Sequence, residues 1–418
     1  MAKENLSKAT FDTVVVGGGP AGATAAIDLA RKGLSVLLLD KAGRIKPCGG
    51  AIPPRLIRDF EIPDALLVAK VSAARMIAPS GRRVEMPIEG GYVGMVNREE
   101  FDEWLRERAA GLGAVRCTGC FERMSRDPDG TAVVHYQPKA AKANNKASIS
   151  SLSVRAKTVI GADGAMSAVA RQCIPKAGSM PYVAAYHEII RSPLKSTSSI
   201  SSSSNTGAAY FDAKRCDIFY QGKLSPDFYA WIFPHGETTS VGVGSAEKGF
   251  SLRTVVSALR EATGLDISDT VRREGAPIPL RPLKKWDNGR DVVLAGDAAG
   301  VVAPASGEGI YYAMIGGQFA AEAVASLLRT GDVHDLKLAR KKFMKAHGRV
   351  FWILGIMQHF WYANDKRRER FVSICQDRDV QKLTWDSYMN KQLSRAKPAA
   401  HARIFFKDLA HLFGLVRP

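Results

Sequence analysis

Apolar runs and glycine turns alternate at the start of the chain. Residues 13–16 are a β-branched apolar run that leads directly into a cluster of glycines. Residues 21–31 place alanine, isoleucine and leucine at helical spacing and close at Gly33, and residues 34–40 form a second apolar run. A strand, a glycine turn, a helix and a strand within about 30 residues predict a βαβ unit with parallel, buried strands.

The pattern changes in the middle of the chain. Residues 154–160 and 291–295 are two more apolar runs, and each is followed by a turn of glycine and aspartate. Between residues 165 and 290 short β-rich segments alternate, such as residues 228–233 and 240–244. This alternation is typical of antiparallel strands with one buried face. We therefore expect a second, antiparallel domain inserted into the first.

Positive charge is abundant and unevenly distributed. The 418 residues include 59 Lys and Arg against 41 Asp and Glu, so the formal net charge is +18. With 46% apolar and 24% charged residues, the composition is globular and excludes a wholly disordered chain. The basic balance indicates an acidic partner, which leaves nucleic acid, an anionic membrane or a phosphate-bearing substrate open. More than half of the excess lies in residues 341–418, which hold 16 basic and 6 acidic residues.

Cysteine content and hydropathy exclude several classes of protein. Six cysteines at irregular spacing are too few for a disulfide scaffold, which favours a reducing compartment. Cys117 and Cys120 form an isolated C-x-x-C that predicts no zinc or other metal site. The longest clean apolar run, residues 350–357, is far shorter than the roughly 20 residues that span a bilayer, so no transmembrane helix is predicted. Glycines and a proline interrupt the apolar stretch after Val14, which argues against a signal peptide.

Residues 17–22 read Gly-Gly-Gly-Pro-Ala-Gly, a G-x-G-x-x-G between the first predicted strand and helix. In such a turn Gly17 allows the tight bend, Gly19 lets the backbone approach a pyrophosphate, and Gly22 allows close packing of helix and strand. The helix N-terminus adds N–H donors and a positive dipole. Asp40 ends the next strand 18 residues after Gly22, where an acid binds an adenosine ribose. Together these features predict a dinucleotide site.

Two later turns repeat the pairing of glycine with aspartate. Asp163-Gly164 follows one predicted strand, and Gly296-Asp297 follows another. Both turns place a carboxylate at the C-terminal end of a strand, which is the ligand-binding edge of a doubly wound sheet. Each acid alone is equally well explained as a turn or helix cap. In combination they indicate which dinucleotide is bound.

In this order, residues 17–22, Arg98, Asp163-Gly164 and Gly296-Asp297 resemble the FAD-binding pattern of the flavin monooxygenase and reductase superfamily with the p-hydroxybenzoate hydroxylase fold. The resemblance implies that FAD is the cofactor, that Asp297 binds its ribityl chain and that Arg98 contacts it. It also implies that the Asp163-Gly164 turn lies near the pyrophosphate and the path of NADPH.

Three further stretches narrow the resemblance to one family. They are residues 46–53 (Lys-Pro-Cys-Gly-Gly-Ala-Ile-Pro), residues 229–234 (Tyr-Ala-Trp-Ile-Phe-Pro) followed by residues 242–244, and residues 306–311. From about residue 11 to about 390 the chain resembles geranylgeranyl reductases of the geranylgeranyl diphosphate and (bacterio)chlorophyll type. This implies FAD-dependent, NADPH-driven reduction of three of the four C=C bonds of a geranylgeranyl chain to phytyl. The substrate would be geranylgeranyl diphosphate or geranylgeranyl-(bacterio)chlorophyll.

The same stretches contain a candidate catalytic residue and one more cofactor residue. Cys48 lies in a Pro-Cys-Gly-Gly turn whose glycines leave the thiol accessible, so it could donate a proton or position the alkene. A small residue selected for tight packing is the alternative. Gly307 precedes a long predicted helix whose N-terminal N–H groups could stabilise negative charge on reduced flavin.

Aromatic and small residues near position 230 are the candidates for substrate binding. They are Tyr229, Trp231, Phe233, Pro234, Gly242 and Gly244. The three aromatic residues alternate, so they share one face of a strand and could line an apolar slot for a polyprenyl chain. The residues by themselves fit a half-buried core strand better, and the family resemblance favours the slot.

The expected fold class is α/β, with a Rossmann-like FAD-binding domain, an inserted antiparallel β-sheet substrate domain and a helical C-terminal region. We place the FAD-binding domain at residues 10–70, 92–180 and 285–340. The β-rich substrate domain takes residues 71–91 and 181–284. A basic, aromatic-rich helical region then covers residues 341–418.

The C-terminal region offers an explanation for the basic charge. Apolar residues spaced i, i+4, i+7 and i+8 form one stripe there, accompanied by basic residues. The stripe is Phe405, Leu409, Leu412 and Phe413, with Arg403, Lys407 and Arg417 beside it and residues 366–368 (Lys-Arg-Arg) upstream. A basic residue near an anionic bilayer contributes about 1 kcal/mol. We expect a cytoplasmic enzyme attached peripherally to a photosynthetic membrane, although a solvated helix face docked on the core fits the same pattern.

Two other functions stay open at this point. The superfamily motifs fit an FAD monooxygenase of a small aromatic compound equally well, whereas the Pro-Cys-Gly-Gly and Tyr-x-Trp-x-Phe-Pro segments do not. A non-catalytic basic binding protein has only the charge of +18 in its favour, and no nucleic-acid partner is expected.

Overall fold

The computed structural model describes residues 9–41, 45–138, 151–193 and 211–391. The chain divides into two compact units. The first unit comprises Met1–Lys46, Glu99–Tyr182 and Pro277–Trp352. The second unit comprises Pro47–Arg98, Val183–Ala276 and Ile353–Pro418.

Strands and helices alternate along the described residues. The strands are β1 (Thr10–Val16), β2 (Val36–Asp40), β3 (Ala51–Ile52), β4 (Ala69–Val71), β5 (Ala73–Ile77), β6 (Arg83–Pro87), β7 (Val93–Met95), β8 (Val115–Arg126), β9 (Ala132–Pro138), β10 (Leu152–Gly161), β11 (Tyr182–Arg191), β12 (Arg215–Phe219), β13 (Ala230–His235), β14 (Thr238–Ser245), β15 (Thr270–Pro279) and β16 (Val292–Leu294). The α-helices are α1 (Pro20–Arg31), α2 (Pro54–Asp59), α3 (Arg98–Gly111), α4 (Ala168–Cys173), α5 (Leu252–Ala262), α6 (Ile310–Thr330), α7 (Lys337–Trp361), α8 (Asp365–Ile374) and α9 (Arg378–Asn390).

A parallel sheet forms the core of the first unit. Strands β8, β2, β1, β10 and β16 pair in parallel in that order, and β9 pairs antiparallel with both β8 and β10. Val14, Val15 and Leu37 are fully buried, as expected for a parallel sheet that is covered on both faces. The predicted βαβ unit is confirmed, because β1, α1 and β2 follow one another and β1 pairs in parallel with β2.

Small residues bring two helices of the first unit close together. A Cβ atom at Gly317 of α6 would lie 2.2 Å from the carbonyl oxygen of Ala21 in α1. The helices therefore meet at a point where no side chain fits, and α6 packs directly on the first turn of α1. This contact matters below, because that turn is the predicted dinucleotide site.

An antiparallel sheet dominates the second unit. Its seven strands follow the order β15, β11, β14, β13, β12, β5 and β6. The β5–β12 pair is parallel, while β11–β14, β13–β14, β12–β13 and β5–β6 are antiparallel. One face packs on α5 through Val256 and Leu259, which join a cluster that includes Ile232, Val241 and Val243. The predicted β-rich insertion is confirmed.

A small three-stranded sheet completes the second unit, in the order β3, β7, β4. Val71, Val93 and Met95 form its buried cluster. Trp385 and Tyr388 of α9 pack against this cluster. The end of the described chain is therefore part of the packing of the second unit.

The unit boundaries differ from the predicted domains. Residues 47–70 and 92–98, which we placed with the FAD-binding domain, belong to the second unit because β3 and β4 pair with β7. Residues 341–418 do not form a unit of their own: the first unit extends to Trp352 and the second takes the rest. Local pairing decided both differences, and it is not visible in short segments such as Ala51–Ile52.

The predicted amphipathic stripe at Phe405–Phe413, with Arg403, Lys407 and Arg417, lies outside the described residues. Upstream of it, Arg368 differs from the prediction that it is a surface charge. Its side chain is 2% exposed and donates to Asp365 Oδ1 at 2.7 Å and to the carbonyls of Pro226 and Tyr362. Arg368 therefore stabilises the fold and does not present its charge to a surface. Among the described helices, none is both long and apolar enough to cross a bilayer.

Candidate functional site

The glycine turn after β1 has a backbone that only glycine fits. Gly17 has a φ of +104°, and a Cβ there would lie 2.3 Å from the carbonyl oxygen of Ala162. A Cβ at Gly22 would lie 1.9 Å from the carbonyl oxygen of Gly17. Strand β1, the turn after β10 and the start of α1 therefore meet with no space for side chains, as the motif predicted.

The N-terminus of α1 is suited to an anion. Gly19 is its N-cap in an extended conformation, and no side chain makes a capping hydrogen bond there. Pro20 occupies the first turn, which contains no acidic residue. Because the positive end of the helix dipole and its N–H donors favour negative charge, this end fits a pyrophosphate.

Asp40 is held beside the same turn at the end of β2. The backbone N–H of Gly18 donates to Asp40 Oδ2 at 2.7 Å. Arg106 of α3 donates to the carbonyl oxygen of Gly18 at 3.1 Å, and its guanidinium lies 3.9 Å from Asp40 Oδ1. A carboxylate only accepts hydrogen bonds, so its position fits the two hydroxyls of a ribose. Sequence analysis missed Arg106, since nothing in the pattern of α3 distinguishes it from other exposed basic residues.

Replacing Asp40 with alanine should weaken FAD binding roughly tenfold, because a charge-assisted hydrogen bond to a ribose and the anchor of Gly18 are lost together. Titration of the apoprotein with FAD, followed by quenching of flavin fluorescence, measures the Kd. Asp12→Ala is the matched control. Asp12, near the opposite end of β1, also accepts a backbone N–H, that of Ser35 at 2.9 Å. Equal Kd values for the two variants would contradict the assignment of Asp40.

Gly296 and Asp297 lie against the first turn of α1. They begin a 3₁₀ turn, Gly296–Ala299, directly after β16. Gly296 has a φ of +64°, and a Cβ there would lie 2.7 Å from the Cβ of Ala21. The Asp297 carboxylate pairs with the ammonium group of Lys46. The structure thus brings Asp297 close to the glycine turn, as predicted, and adds Lys46 as its partner.

Gly307 belongs to a tight turn that precedes α6. Gly307 has a φ of +66°, and its N–H donates to the carbonyl oxygen of Ala303 at 3.0 Å. The N–H of Ala303 in turn donates to the carbonyl oxygen of Glu308 at 2.8 Å. Gly309 is the N-cap of α6 and has no side-chain cap. The positive end of α6 is therefore open to an acceptor, which is what the prediction for Gly307 requires.

Asp163 differs from the predicted cofactor ligand. Its carboxylate accepts from the Ser167 hydroxyl and from the backbone N–H groups of Ala168 (2.7 Å) and Val169 (3.2 Å). Burial raises the pKa of Asp163, although these hydrogen bonds act in the opposite direction. The carboxylate therefore stabilises the N-terminus of α4. Gly164 beside it has a φ of +88° and open space where a Cβ would lie.

Arg98 and Cys48 belong to the second unit. Arg98 is the first residue of α3 and is 7% exposed. Cys48 is a free, half-buried thiol, and the N–H of Gly50 donates to its Sγ at 3.4 Å. Gly50 has a φ of +66°, and a Cβ there would lie 2.5 Å from the carbonyl oxygen of Val96. The Cys48 turn, residues 48–50, is therefore fixed by close backbone contacts.

His235 is buried beside the Cys48 turn. A Cβ at Gly50 would lie 2.6 Å from its Nε2, and its Nδ1 lies 3.1 Å from the carbonyl oxygen of Phe233. Burial lowers the pKa of His235 to about 4, although the carbonyls of Phe233 and Gly49 favour the protonated ring. Neutral His235 thus packs under the turn that carries the candidate thiol.

Acidification from about pH 7 to about pH 5.5 should destabilise the protein by roughly 1 kcal/mol through His235. The unfolded chain takes up this proton near pH 6.5, whereas the folded protein resists it until about pH 4. The contribution is therefore complete above pH 6.5 and is lost as the pH falls towards 4. Urea denaturation of the wild type and of His235→Gln at both pH values measures it. Identical losses in the two proteins would contradict the assignment.

The predicted substrate residues lie together on one face of the large sheet. The ring centroids of Tyr229 and Trp231 are 6.0 Å apart, and those of Trp231 and Phe233 are 6.1 Å apart. A Cβ at Gly242 would lie 2.3 Å from the Trp231 ring, and one at Gly244 would lie 2.7 Å from the Phe228 ring. The glycines thus give the aromatic rings their space.

Burial of this aromatic row is high. Tyr229 is 8% exposed and Trp231 is 6% exposed, while Phe233 is half-buried and Pro234 is buried. Phe233 connects the row to the Cys48 turn, since a Cβ at Gly49 would lie 3.1 Å from its ring. The contacts of the free protein match the core-strand interpretation, and substrate binding by these residues stays a prediction.

No cluster of three or more His, Cys, Asp or Glu side chains in the described part of the chain could hold a metal ion. Cys117 and Cys120 both lie on β8, where neighbouring side chains alternate between faces and cysteines three positions apart point to opposite sides.

Comparison with known proteins gives one consistent result. A family profile described as an FAD binding domain matches residues 10–342. The chain is 56% identical over 408 residues to the geranylgeranyl diphosphate reductase of Rhodobacter capsulatus, covering 98% of this chain and 99% of the relative. It is 36% identical to the chloroplastic geranylgeranyl diphosphate reductase of Nicotiana tabacum, covering 95% of this chain and 85% of the relative.

Among solved structures, a geranylgeranyl bacteriochlorophyll reductase-like protein from Thermoplasma acidophilum has the same fold. The TM-score is 0.77 at 21% identity, and the match covers 94% of this chain and 99% of that one. Together with the profile match, this confirms the predicted fold class and the FAD-binding domain.

Proposed function

Because this chain belongs to the geranylgeranyl diphosphate reductase family, we propose that it reduces the geranylgeranyl chain of geranylgeranyl diphosphate, of geranylgeranyl-(bacterio)chlorophyll, or of both. The product is phytyl, formed by saturation of three of the four C=C bonds, as in the family that its motifs resemble. The observation that carries the proposal is 56% identity over 98% of the chain, which includes both units.

The first unit supplies the cofactor site. The α1 N-terminus and the turn at residues 17–22 hold the FAD pyrophosphate, Asp40 holds the adenosine ribose, and Asp297 with Lys46 holds the ribityl chain. Three observations support this placement: the glycines leave no room for side chains, the helix end is uncapped, and the carboxylates offer acceptors to hydroxyl groups. FAD supplies the hydride when it is bound in its reduced form.

The second unit supplies the proton and the surface for the prenyl chain. Hydride addition to one alkene carbon leaves the other carbon in need of a proton, and Cys48 is the candidate donor. The N–H of Gly50 at 3.4 Å from Sγ stabilises the thiolate that remains after the proton leaves. The aromatic row of Tyr229, Trp231 and Phe233 is the candidate surface for the apolar chain.

NADPH is proposed as the source of electrons on the resemblance of the sequence motifs. The decisive experiment is anaerobic. Purified yellow protein is mixed with NADPH, bleaching of the flavin absorbance is recorded, and each prenyl substrate is then added. Mass spectrometry should show products with one, two and three reduced bonds. Bleaching without any reduced product would contradict the proposal. Oxygen consumption coupled to a hydroxylated aromatic product would favour a monooxygenase instead.

We also propose peripheral attachment to an anionic photosynthetic membrane. The support is the net charge of +18, of which more than half lies after residue 340. Removing residues 398–418 deletes the predicted stripe and should reduce binding to liposomes that contain phosphatidylglycerol several-fold, at about 1 kcal/mol for each basic residue lost. Co-sedimentation of the full chain and the truncated chain measures this. Equal binding would refute the contribution of the tail.

A further inference from the structure

A chain of polar side chains crosses four neighbouring strands of the large sheet. Glu274 lies on β15, His187 on β11, Ser240 on β14 and Trp231 on β13. His187 Nε2 lies 3.0 Å from Glu274 Oε2, His187 Nδ1 lies 2.8 Å from Ser240 Oγ, and Trp231 Nε1 donates to Ser240 Oγ at 3.1 Å. The chain therefore ends on the aromatic row.

The direction of each hydrogen bond follows from the groups themselves. An indole N–H only donates, so the Ser240 oxygen accepts from Trp231. Burial acts to raise the pKa of Glu274, but the bond from His187 and the Arg272 guanidinium outweigh it, so the pKa is lowered. Its ionised carboxylate accepts, which places the proton of a neutral His187 on Nε2. Nδ1 is then the acceptor, and the Ser240 hydroxyl donates to it.

Sterics confine the Trp231 ring to the same place. Gly242 is in register with Trp231 on one side and with His187 on the other. A Cβ at Gly242 would lie 2.3 Å from the Trp231 ring and 2.6 Å from the Cβ of His187. With no side chain between them, the two rings approach to 6.3 Å between centroids. The indole thus lies over Gly242, with its N–H directed at Ser240.

Stability of the sheet does not require this arrangement. His187 is 3% exposed and Ser240 is fully buried, and buried polar groups stabilise a fold only when every bond is made. The opposite face of the same strands is an ordinary apolar core around Val241 and Val243. The polar groups occur on the face that carries Trp231, and their outermost contact is the indole N–H.

We propose that His187 is a positioning residue that acts through Ser240 to fix the orientation of the Trp231 ring, and thereby sets how the prenyl chain binds. This rests on the proposed function, because Trp231 is a candidate contact for that chain. Glu274 fixes the tautomer of His187, Ser240 transmits it, and Gly242 leaves the room that the ring needs. The specificity of the apolar surface is thus set by polar residues behind it.

Two amide variants of His187 separate positioning from simple loss of a side chain. The oxygen of asparagine can take the place of Nδ1 and accept from Ser240, whereas the amide of glutamine reaches the place of Nε2 and bonds to Glu274. His187→Asn should therefore keep the Ser240 contact, and His187→Gln should lose it. Ser240→Ala, which changes the volume little, provides a second test if a His187 variant folds poorly.

The first measurement is spectroscopic. Protein labelled with ¹⁵N-tryptophan gives indole N–H signals from 6 tryptophans, and Trp231→Phe identifies the one that belongs to Trp231. This signal should move in His187→Gln and in Ser240→Ala and should stay close to its wild-type position in His187→Asn. Unchanged signals in both His187→Gln and Ser240→Ala would overturn the proposal.

The second measurement is kinetic. The KM for the prenyl substrate should rise about tenfold in His187→Gln, as expected for loss of one buried hydrogen bond, with a smaller change in kcat and an unchanged Kd for FAD. His187→Asn should restore KM to within about twofold of the wild type. Tyr186→Phe is the matched control, because it removes a hydrogen bond of 2.8 Å to Glu188 on the opposite face of β11. Equal KM values in His187→Gln and His187→Asn would overturn the proposal.

The two measurements distinguish the proposal from its premise. If the wild type reduces neither prenyl substrate, the proposed function fails. The coupling of His187 to the indole is then decided by the spectra alone, where a shift supports it and an unchanged signal refutes it.

Discussion

Gly22→Ala should yield a protein that folds but purifies without FAD. A Cβ at this position would lie 1.9 Å from the carbonyl oxygen of Gly17 and 3.1 Å from the Cβ of Ala162. Both neighbours are part of closely packed backbone or its first side-chain atom, so α1 must move away from the turn. The N–H groups that would bind the pyrophosphate move with it, and we expect the Kd for FAD to rise by at least about a hundredfold.

Gly111→Ala is the matched control for this substitution. Gly111 ends α3 in the same unit, and a Cβ there would meet no atom within 4 Å. Alanine should slightly stabilise the helix and leave FAD binding unchanged. The flavin content after purification and the Kd of the apoprotein for FAD measure both variants. If Gly22→Ala retained flavin as Gly111→Ala does, the assignment of this turn as the pyrophosphate site would be wrong.

Cys48→Ser should reduce the rate of prenyl reduction by roughly a hundredfold or more, while FAD stays bound. General acid catalysis by one side chain contributes typically 10²–10⁴-fold, and a serine hydroxyl is a much weaker acid than a thiol of about pKa 8.5. Serine occupies nearly the same volume, so the contacts of Gly49 and Gly50 around the turn are kept. Reduction of the flavin by NADPH should remain normal, because that step needs no proton from Cys48.

Stopped-flow absorbance separates the two steps. Bleaching by NADPH reports flavin reduction, and recovery of the flavin absorbance under anaerobic conditions with prenyl substrate reports transfer to the alkene. Cys120→Ser is the control, since that cysteine is exposed on β8 of the first unit. Near-wild-type recovery in Cys48→Ser would remove the thiol from the mechanism and leave tight packing as the explanation for Cys48.

The first unit was predictable because its determinants are local in sequence. The strand, the turn at residues 17–22, α1 and Asp40 follow within one βαβ unit, so the spacing alone places the carboxylate beside the turn. Arg106 could not be found in this way. It reaches Gly18 from a helix 88 positions away, and only the packed fold shows which face of α3 meets the turn.

Asp163 shows the opposite problem. Its place after a strand suggested a ligand edge, but Ser167 and the N-terminus of α4 lie four to six residues further on and take up its carboxylate. A short helix of six residues has little periodicity, so the sequence did not reveal the group that Asp163 caps. Local hydrogen bonding decided against the longer-range interpretation.

The polar chain behind Trp231 was also beyond sequence analysis. Alternation on β13 correctly placed Tyr229, Trp231 and Phe233 on one face. The partners of Trp231 come from β14, β11 and β15, and register across strands that are far apart in sequence decides which side chains meet. Prediction of a strand face therefore reached the aromatic residues and stopped short of what orients them.

The contact of Trp231 with Gly242 restricts the order in which this protein can evolve. A side chain at position 242 collides with the indole at 2.3 Å, so no first step can enlarge that position while the tryptophan remains. A smaller residue at position 231 would have to appear first, and it would leave the Ser240 hydroxyl without its donor. Lineages that alter this surface must therefore pass through an intermediate with a cavity and a weakened polar chain. Changes in prenyl preference are more accessible by substitution at other positions than at these two.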